Sequence, residues 1–222
     1  MKQLIVGLIA EGNTDIRFLR SVVERSFQDI LLNECEQDIE FYLHLIRIDK
    51  TGLDFPQMVV TASRAGVEEC GIMSLAVHTD ADRETYEQRW NDKIVPAHNA
   101  LNAEKSDSYC LLLTPIIPVR MIEAWLLADK ELFKAEIGTE LMDSELGIDR
   151  DPEGIANPKA VIEEAIRKAT EMLPKRRRRI SISDLYGYIG DAVSINSLSS
   201  LSSYRRFRDV IRQTLRALHY MY

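Results

Sequence analysis

The chain has 222 residues, enough for one domain with a large buried core. Its cysteines, Cys35, Cys70 and Cys110, are odd in number, far apart and outside any CxxC or Cys/His cluster, which argues against a disulfide framework and a zinc site. No apolar run reaches membrane-spanning length, and MKQLIVGLIAEG lacks the h-region and cleavage site of a leader, so a cytoplasmic protein without a membrane segment is expected.

The net charge of −7 is unevenly divided. From residue 159 onward there are 13 Lys+Arg against 6 Asp+Glu, a net +7, whereas the first 158 residues carry 15 against 29, a net −14. Such asymmetry suggests a polyanion or an acidic protein surface as partner for the tail, or an Arg-rich solvated helix face.

In chain order, residues 3–10 read as a buried strand. Asn13 or Thr14 can cap a helix with apolar positions Ile16, Leu19, Val22, Val23 and Phe27. IEFYLHLIRI (39–48) is β-rich, 54–71 reads as a second helix, and IMSLAVHTD (72–80) as a buried strand ending in acids. A helix is expected over 84–103 with Trp90, Ile94 and Leu101 inward, a strand over 109–117 closed by Pro115 and Pro118, and helical spacing over 119–133. Strands alternating with helices imply an α/β fold with a mainly parallel sheet flanked by helices.

The last third changes character. An acidic connection over 142–159 leads to Asn157 and Pro158 as N-cap and N1 of a helix reaching about Leu173; PKRRRR, a Ser-rich stretch and a final Arg-rich helix follow. The expected organisation is an α/β domain over residues 1–140 and a basic helical extension over 141–222.

Ligands of open parallel sheets bind outside the carboxyl ends of the strands, and acids stand at three such ends. They are Glu11 after the first strand, Asp80 and Asp82 in HTDADRE, and Glu123 behind LLLTP. If the strand runs on through Asp82, residues i and i+2 point the same way. Both carboxylates would then face one hard cation, with Glu11 supplying another oxygen. Mg²⁺ suits such a set because it binds through one or two carboxylates and keeps waters that phosphate oxygens can replace. Singly, an Asp-x-Asp is common in surface turns and Glu-Gly can simply begin one. Glu123 can favour a helix dipole, Trp125 and His78 read equally as packed core residues, and Asp129 as a solvent-facing helix end. It is the joint placement after separate strands that points to metal.

AEGNTDIRFL resembles the Glu-Gly-x-Thr-Asp/Glu-x-x-Phe-Leu opening of Toprim-like domains, and HTDAD occupies the place of their Asp-x-Asp motif. PVRMIEAWLLAD and the later NPK are similar to a compact Toprim-like family related to RloB, bacterial proteins often encoded beside an OLD- or ABC-type ATPase in phage-defence loci. The resemblance implies a Toprim-like α/β fold and a Mg²⁺-dependent nuclease, with Mn²⁺ as an alternative ion, cutting DNA or RNA together with a partner ATPase. It gives Glu11 proton transfer and possible metal ligation, makes Asp80 and Asp82 the metal pair, and places Glu123 near the metal. Nucleic-acid phosphates are expected on Arg176, Arg177, Arg178, Arg179, Arg205, Arg206 and Arg208. The alternative is a catalytically idle regulatory or effector subunit docking on the ATPase. A third reading is a metal-dependent transferase using Asp-x-Asp with a nucleotide-sugar, for which no phosphate-cradling Gly-rich loop is present. No GxxxxGK[ST] occurs, so any NTP hydrolysis belongs to a partner.

Overall fold

The structure, a computed structural model, describes residues 2–104, 106–171 and 180–221. Its centre is a four-stranded sheet, β1 (Lys2–Ala10), β2 (Ile39–Leu45), β3 (Ser74–His78) and β4 (Leu113–Ile116), in the order β2-β1-β3-β4 with every pairing parallel. The expected α/β architecture is therefore present.

The period-2 pattern of the strands decides what covers each face. Leu4, Val6, Leu8 and Ala10 of β1, Ala76 of β3 and Ile116 of β4 face one core, whereas Ile9 of β1 with Leu75 and Val77 of β3 face the other. The second core is closed by α2 (Phe55–Cys70) and α4 (Val95–Ala103). Local chemistry fixes the limits of α2. The Asp54 side chain accepts from the Gln57 N–H at 2.9 Å, the Gln57 side chain answers the Asp54 N–H at 3.0 Å, and Gly71 ends the helix at φ +65°. A short α3 (Tyr86–Arg89) and a π-helical turn, Trp90–Ile94, run into α4; Ile94 and Leu101 are buried as expected, and Trp90 is half-buried.

The first core is larger. It is closed by α1 (Asn13–Glu34), α5 (Ile122–Leu126), α6 (Lys130–Ile137), α7 (Asp143–Leu146), α8 (Pro158–Thr170), α9 (Ile182–Ala192), α10 (Ile195–Leu198) and α11 (Ser202–Ala217). Helices late in the chain thus pack directly on helices and strands formed early. Gly190 of α9 lies so close to α1 that a Cβ there would sit 2.9 Å from both the Cα and the carbonyl oxygen of Phe18. Arg25 of α1 donates to the carbonyls of Gly190 and Val193 at 2.6 Å each, satisfying the α9 C-terminus. Polar contacts hold α11. Thr214 Oγ1 lies 2.8 Å from Thr114 Oγ1, which lies 2.7 Å from Ser74 Oγ, and Tyr204 meets Ser26 at 2.7 Å. Trp125 Nε1 donates to Ser203 Oγ at 2.7 Å, so this indole is packed and hydrogen-bonded in the core.

Two elements differ from expectation. The strand expected over 109–117 starts only at Leu113, because the Cys110 N–H donates to Ser63 Oγ of α2 at 2.7 Å and the Cys110 carbonyl accepts from the same hydroxyl at 2.9 Å. That backbone is satisfied by a helix side chain instead of a neighbouring strand. The helix expected over 119–133 begins at Ile122 and breaks after Leu126; Asp129, expected at a solvent-facing end, instead caps α6 by accepting from the Leu132 N–H at 3.1 Å and from Ser197 Oγ at 3.0 Å.

Candidate functional site

Ala10 of β1 is level with His78 of β3, so the two chains leave the sheet side by side. The connections diverge here: β1 leads to β2 on one edge and β3 to β4 on the other. This switch point is where parallel sheets open a crevice for ligands. Glu11 and Asp80 both emerge at it. Thr79 Oγ1 donates to Glu11 Oε1 at 3.0 Å, while Asp80 Oδ1 accepts from the Ile122 N–H at 2.9 Å and lies 3.2 Å from His78 Nε2. Glu11 is exposed and Asp80 half-buried.

Three further groups join them. Asp15, in the first turn of α1, accepts from the Gly12 N–H at 3.1 Å and lies 3.7 Å from His78 Nδ1. A Cβ on residue 12 would meet Asp15 Oδ2 at 2.6 Å, so glycine is what lets this carboxylate fold back. Lys50, beyond β2, donates to the carbonyls of Ala10 at 2.5 Å and Glu11 at 3.3 Å, pinning the exit of β1. Glu123 of α5 is buried; its Oε1 accepts from Tyr186 Oη of α9 at 2.6 Å, and its Oε2 is buried without a hydrogen-bond partner.

The electrostatics follow from this crowding. Burial opposes the charged form of His78, but the charges of Asp80, Asp15 and Glu11 and the hydrogen bond to Asp80 outweigh it, and its pKa is raised. Burial raises the Glu123 pKa, with Asp80's charge acting in the same direction against the Tyr186 hydrogen bond. Burial also raises Tyr186, reinforced by its bond to Glu123 and that residue's charge. Lys50 is lowered by burial, against the pull of Asp15 and Glu11.

Asp82 stands apart. β3 ends at His78, Ala81 is buried with its N–H on the Pro118 carbonyl at 3.0 Å, and Asp82 turns into left-handed backbone at φ 54°. Its carboxylate pairs with Arg89 at 2.9 Å. The extended geometry that would align Asp80 with Asp82 is absent, and the structure does not bring Asp82 to the other acids.

Among the described residues, no group of three or more His, Cys, Asp or Glu side chains is arranged to hold a metal ion. What is present is Asp80 beside a buried Glu123 whose second oxygen lacks a partner. That donor set fits a hard, water-retaining cation such as Mg²⁺, held through one or two carboxylates, better than an ion needing a protein cage.

The expected phosphate-binding arginines are differently placed. Arg208 is largely covered and pairs with Asp29 at 2.6 Å and Glu34 at 3.5 Å, clamping α11 to α1. Arg205 donates to the Ser199 and Ser200 carbonyls at 2.8 and 2.6 Å. Arg206 pairs with Glu87 at 2.5 Å and lies 4.4 Å from the Tyr86 ring centroid. Arg176 to Arg179 lie outside the described residues. Among the described residues, no helix is long and apolar enough to cross a membrane.

Sequence reasoning missed Asp15, Lys50 and Tyr186. Asp15 stands four residues after Glu11 at a helix start and Lys50 just beyond a strand, so both carry a positional signal. Tyr186 carries none, because it reaches Glu123 across 63 residues. No protein-family model, curated protein or solved structure matches the chain.

Proposed function

We propose that the chain is a Mg²⁺-dependent, Toprim-like nuclease that cleaves DNA or RNA phosphodiesters in phage defence, in company with an OLD- or ABC-type ATPase. The observation that carries this reading is buried Glu123, with one oxygen unpartnered, beside Asp80 at the β1/β3 switch point, where Glu11 also leaves the sheet. The resemblance of AEGNTDIRFL and HTDAD to Toprim-like motifs agrees with it.

In this scheme Asp80 and Glu123 hold the ion, with Glu11 available at the rim. When bound, Mg²⁺ supplies charge neutralisation on the phosphoryl oxygens and a more acidic water. The protein's own groups do the positioning. The Ile122 N–H and His78 fix Asp80, Tyr186 fixes one oxygen of Glu123, and Lys50 holds the strand exit that carries Glu11. Exposed Glu11, oriented by Thr79, is the proton acceptor for the attacking water.

One observation favours the idle docking subunit as a second reading: Asp82 is held by Arg89, which leaves fewer acids at the switch point than Asp-x-Asp would supply. Assay of labelled DNA and RNA with Mg²⁺, with and without the ATPase, tests both readings. Cleavage that Glu11→Gln abolishes while the fold and nucleic-acid binding persist supports the nuclease. Undiminished cleavage by this variant refutes it, and no cleavage in any combination leaves the docking subunit.

A further inference from the structure

Beside the acids lies a groove of about 870 Å³. It is bounded by the loop after β3, the loop before α5 and the first turn of α8, which contribute Arg83, Arg120 and Lys159. These three side chains make no hydrogen bond or ion pair among the described residues, whereas Arg89 in the same wall is engaged by Asp82 at 2.9 Å and Glu84 at 3.2 Å. A chain of net charge −7 thus keeps three free cations together next to its carboxylates.

Two features of the backbone belong to this groove. Asp82 and Arg120 are both left-handed, at φ 54° and 67°, and are joined by a 2.6 Å bond from the Asp82 N–H to the Arg120 carbonyl. An arginine in that region is disfavoured by its own Cβ, a cost tolerated where the surroundings impose it and characteristic of ligand-holding segments. Lys159 sits in the first turn of α8, where the helix dipole disfavours a cation unless an anion is also present.

The groove adjoins the acid site at the loop before α5 without being lined by its acids. Met121 lines it and precedes Ile122, whose N–H holds Asp80, and the charge of Lys159 acts on Glu123. A second hollow of about 290 Å³ shares Arg83 and Arg120 and ends at α11 on Arg206, which Glu87 already engages.

We infer that this groove holds the phosphodiester backbone of a nucleic-acid strand beside the scissile phosphate, with Arg83, Arg120 and Lys159 as its phosphate contacts. Strand binding is thereby assigned to loops at the switch point instead of the Arg-rich face of α11. The inference rests on the nuclease reading for its purpose but not for its test.

That test is fluorescence anisotropy of a labelled single-stranded DNA oligonucleotide, and of its RNA counterpart, in EDTA over a salt series. The reference is the Glu11→Gln protein, which removes the proposed proton acceptor. In the Arg83→Gln/Arg120→Gly/Lys159→Gln variant, affinity at low salt falls at least about tenfold, and the slope of log K on log salt falls by about 2, near 0.7 for each lost contact to a single strand. Glycine at 120 suits the left-handed backbone, and Arg83→Gln alone, on an exposed side chain, loses about 0.7 of slope in a protein of unchanged melting temperature. An unchanged affinity and slope overturns the inference, as does failure of the reference protein to bind either oligonucleotide. Displacement by ATP as effective as by unlabelled strand also overturns it, in favour of a nucleotide site. Cleavage undiminished by Glu11→Gln would remove the nuclease reading while this binding result stood.

Discussion

In the absence of metal, Glu123→Gln stabilises the protein at neutral and alkaline pH. Glu123 is buried, one oxygen is satisfied by Tyr186 and the other has no partner, and Asp80's negative charge acts on it. An ionised carboxylate with an unsatisfied buried oxygen costs about 1–3 kcal/mol. Glutamine keeps the shape, still accepts from Tyr186 and turns a donor toward the acids. Because the folded-state pKa of Glu123 is raised, mainly by burial, the protonated form is the one that folding favours. Its stabilisation is complete below the unfolded value of about 4.5 and is lost as pH rises through the folded value. The advantage of Glu123→Gln is therefore small at pH 4 and grows toward pH 8. At about 2–4 °C per kcal/mol for a chain of this size, the gain at pH 8 is about 2–12 °C. Thermal melting in EDTA from pH 4 to 8 measures it; His78 is present in both proteins and contributes to both curves. Saturating Mg²⁺ should then raise the wild type more than the variant. A variant equal to or less stable than wild type at pH 8, or a pH-independent difference, would refute the reasoning about the orphaned oxygen.

The two aspartates of HTDAD should separate in the same assay. Asp80→Asn abolishes the Mg²⁺-induced rise in melting temperature, whereas Asp82→Asn, which breaks only the outward pair with Arg89, leaves most of it. Gly190→Ala places a methyl against the Phe18 backbone, which cannot rotate away, so denaturant unfolding should show a loss of about 1–3 kcal/mol or more. The Arg212 hydrogen bonds hold the Glu34 pKa below its ordinary value. Stability from that pair is present above the unfolded value of about 4.5 and lost as pH falls through the folded one, so Glu34→Gln should flatten the acid limb of the stability–pH curve.

The fold was legible where a strand or helix carries its own pattern. Leu4, Val6 and Leu8 alternate with Ile5 and Ile9, and Asp54 with Gln57 announces the start of α2, so sheet and flanking helices follow from local spacing. What escaped depends on partners distant in sequence. The withdrawal of Cys110 from the strand is caused by the Ser63 hydroxyl, and the break before α6 by Asp129, whose second oxygen is held by Ser197. The site divides in the same way. Glu11 and Asp80 were legible as acids after strands. The fate of Asp82 turns on the Pro118 and Arg120 carbonyls capturing the amides of Ala81 and Asp82, and an alternating HTDAD contains no trace of those bonds.

The row of hydroxyls from Ser74 through Thr114 to Thr214, with Ser26 bonded to Tyr204 across 178 residues, bears on the order in which the molecule can be made. Synthesis delivers β1 and α1 well before α9 and α11, the helices that close their shared apolar face. Throughout that interval a nascent chain displays a bare sheet face and an uncovered α1. Such a chain is a natural client for chaperones that shield apolar surface, and closure depends on long-range contacts, which form slowly. Truncation before Ser202 would make that transient exposure permanent.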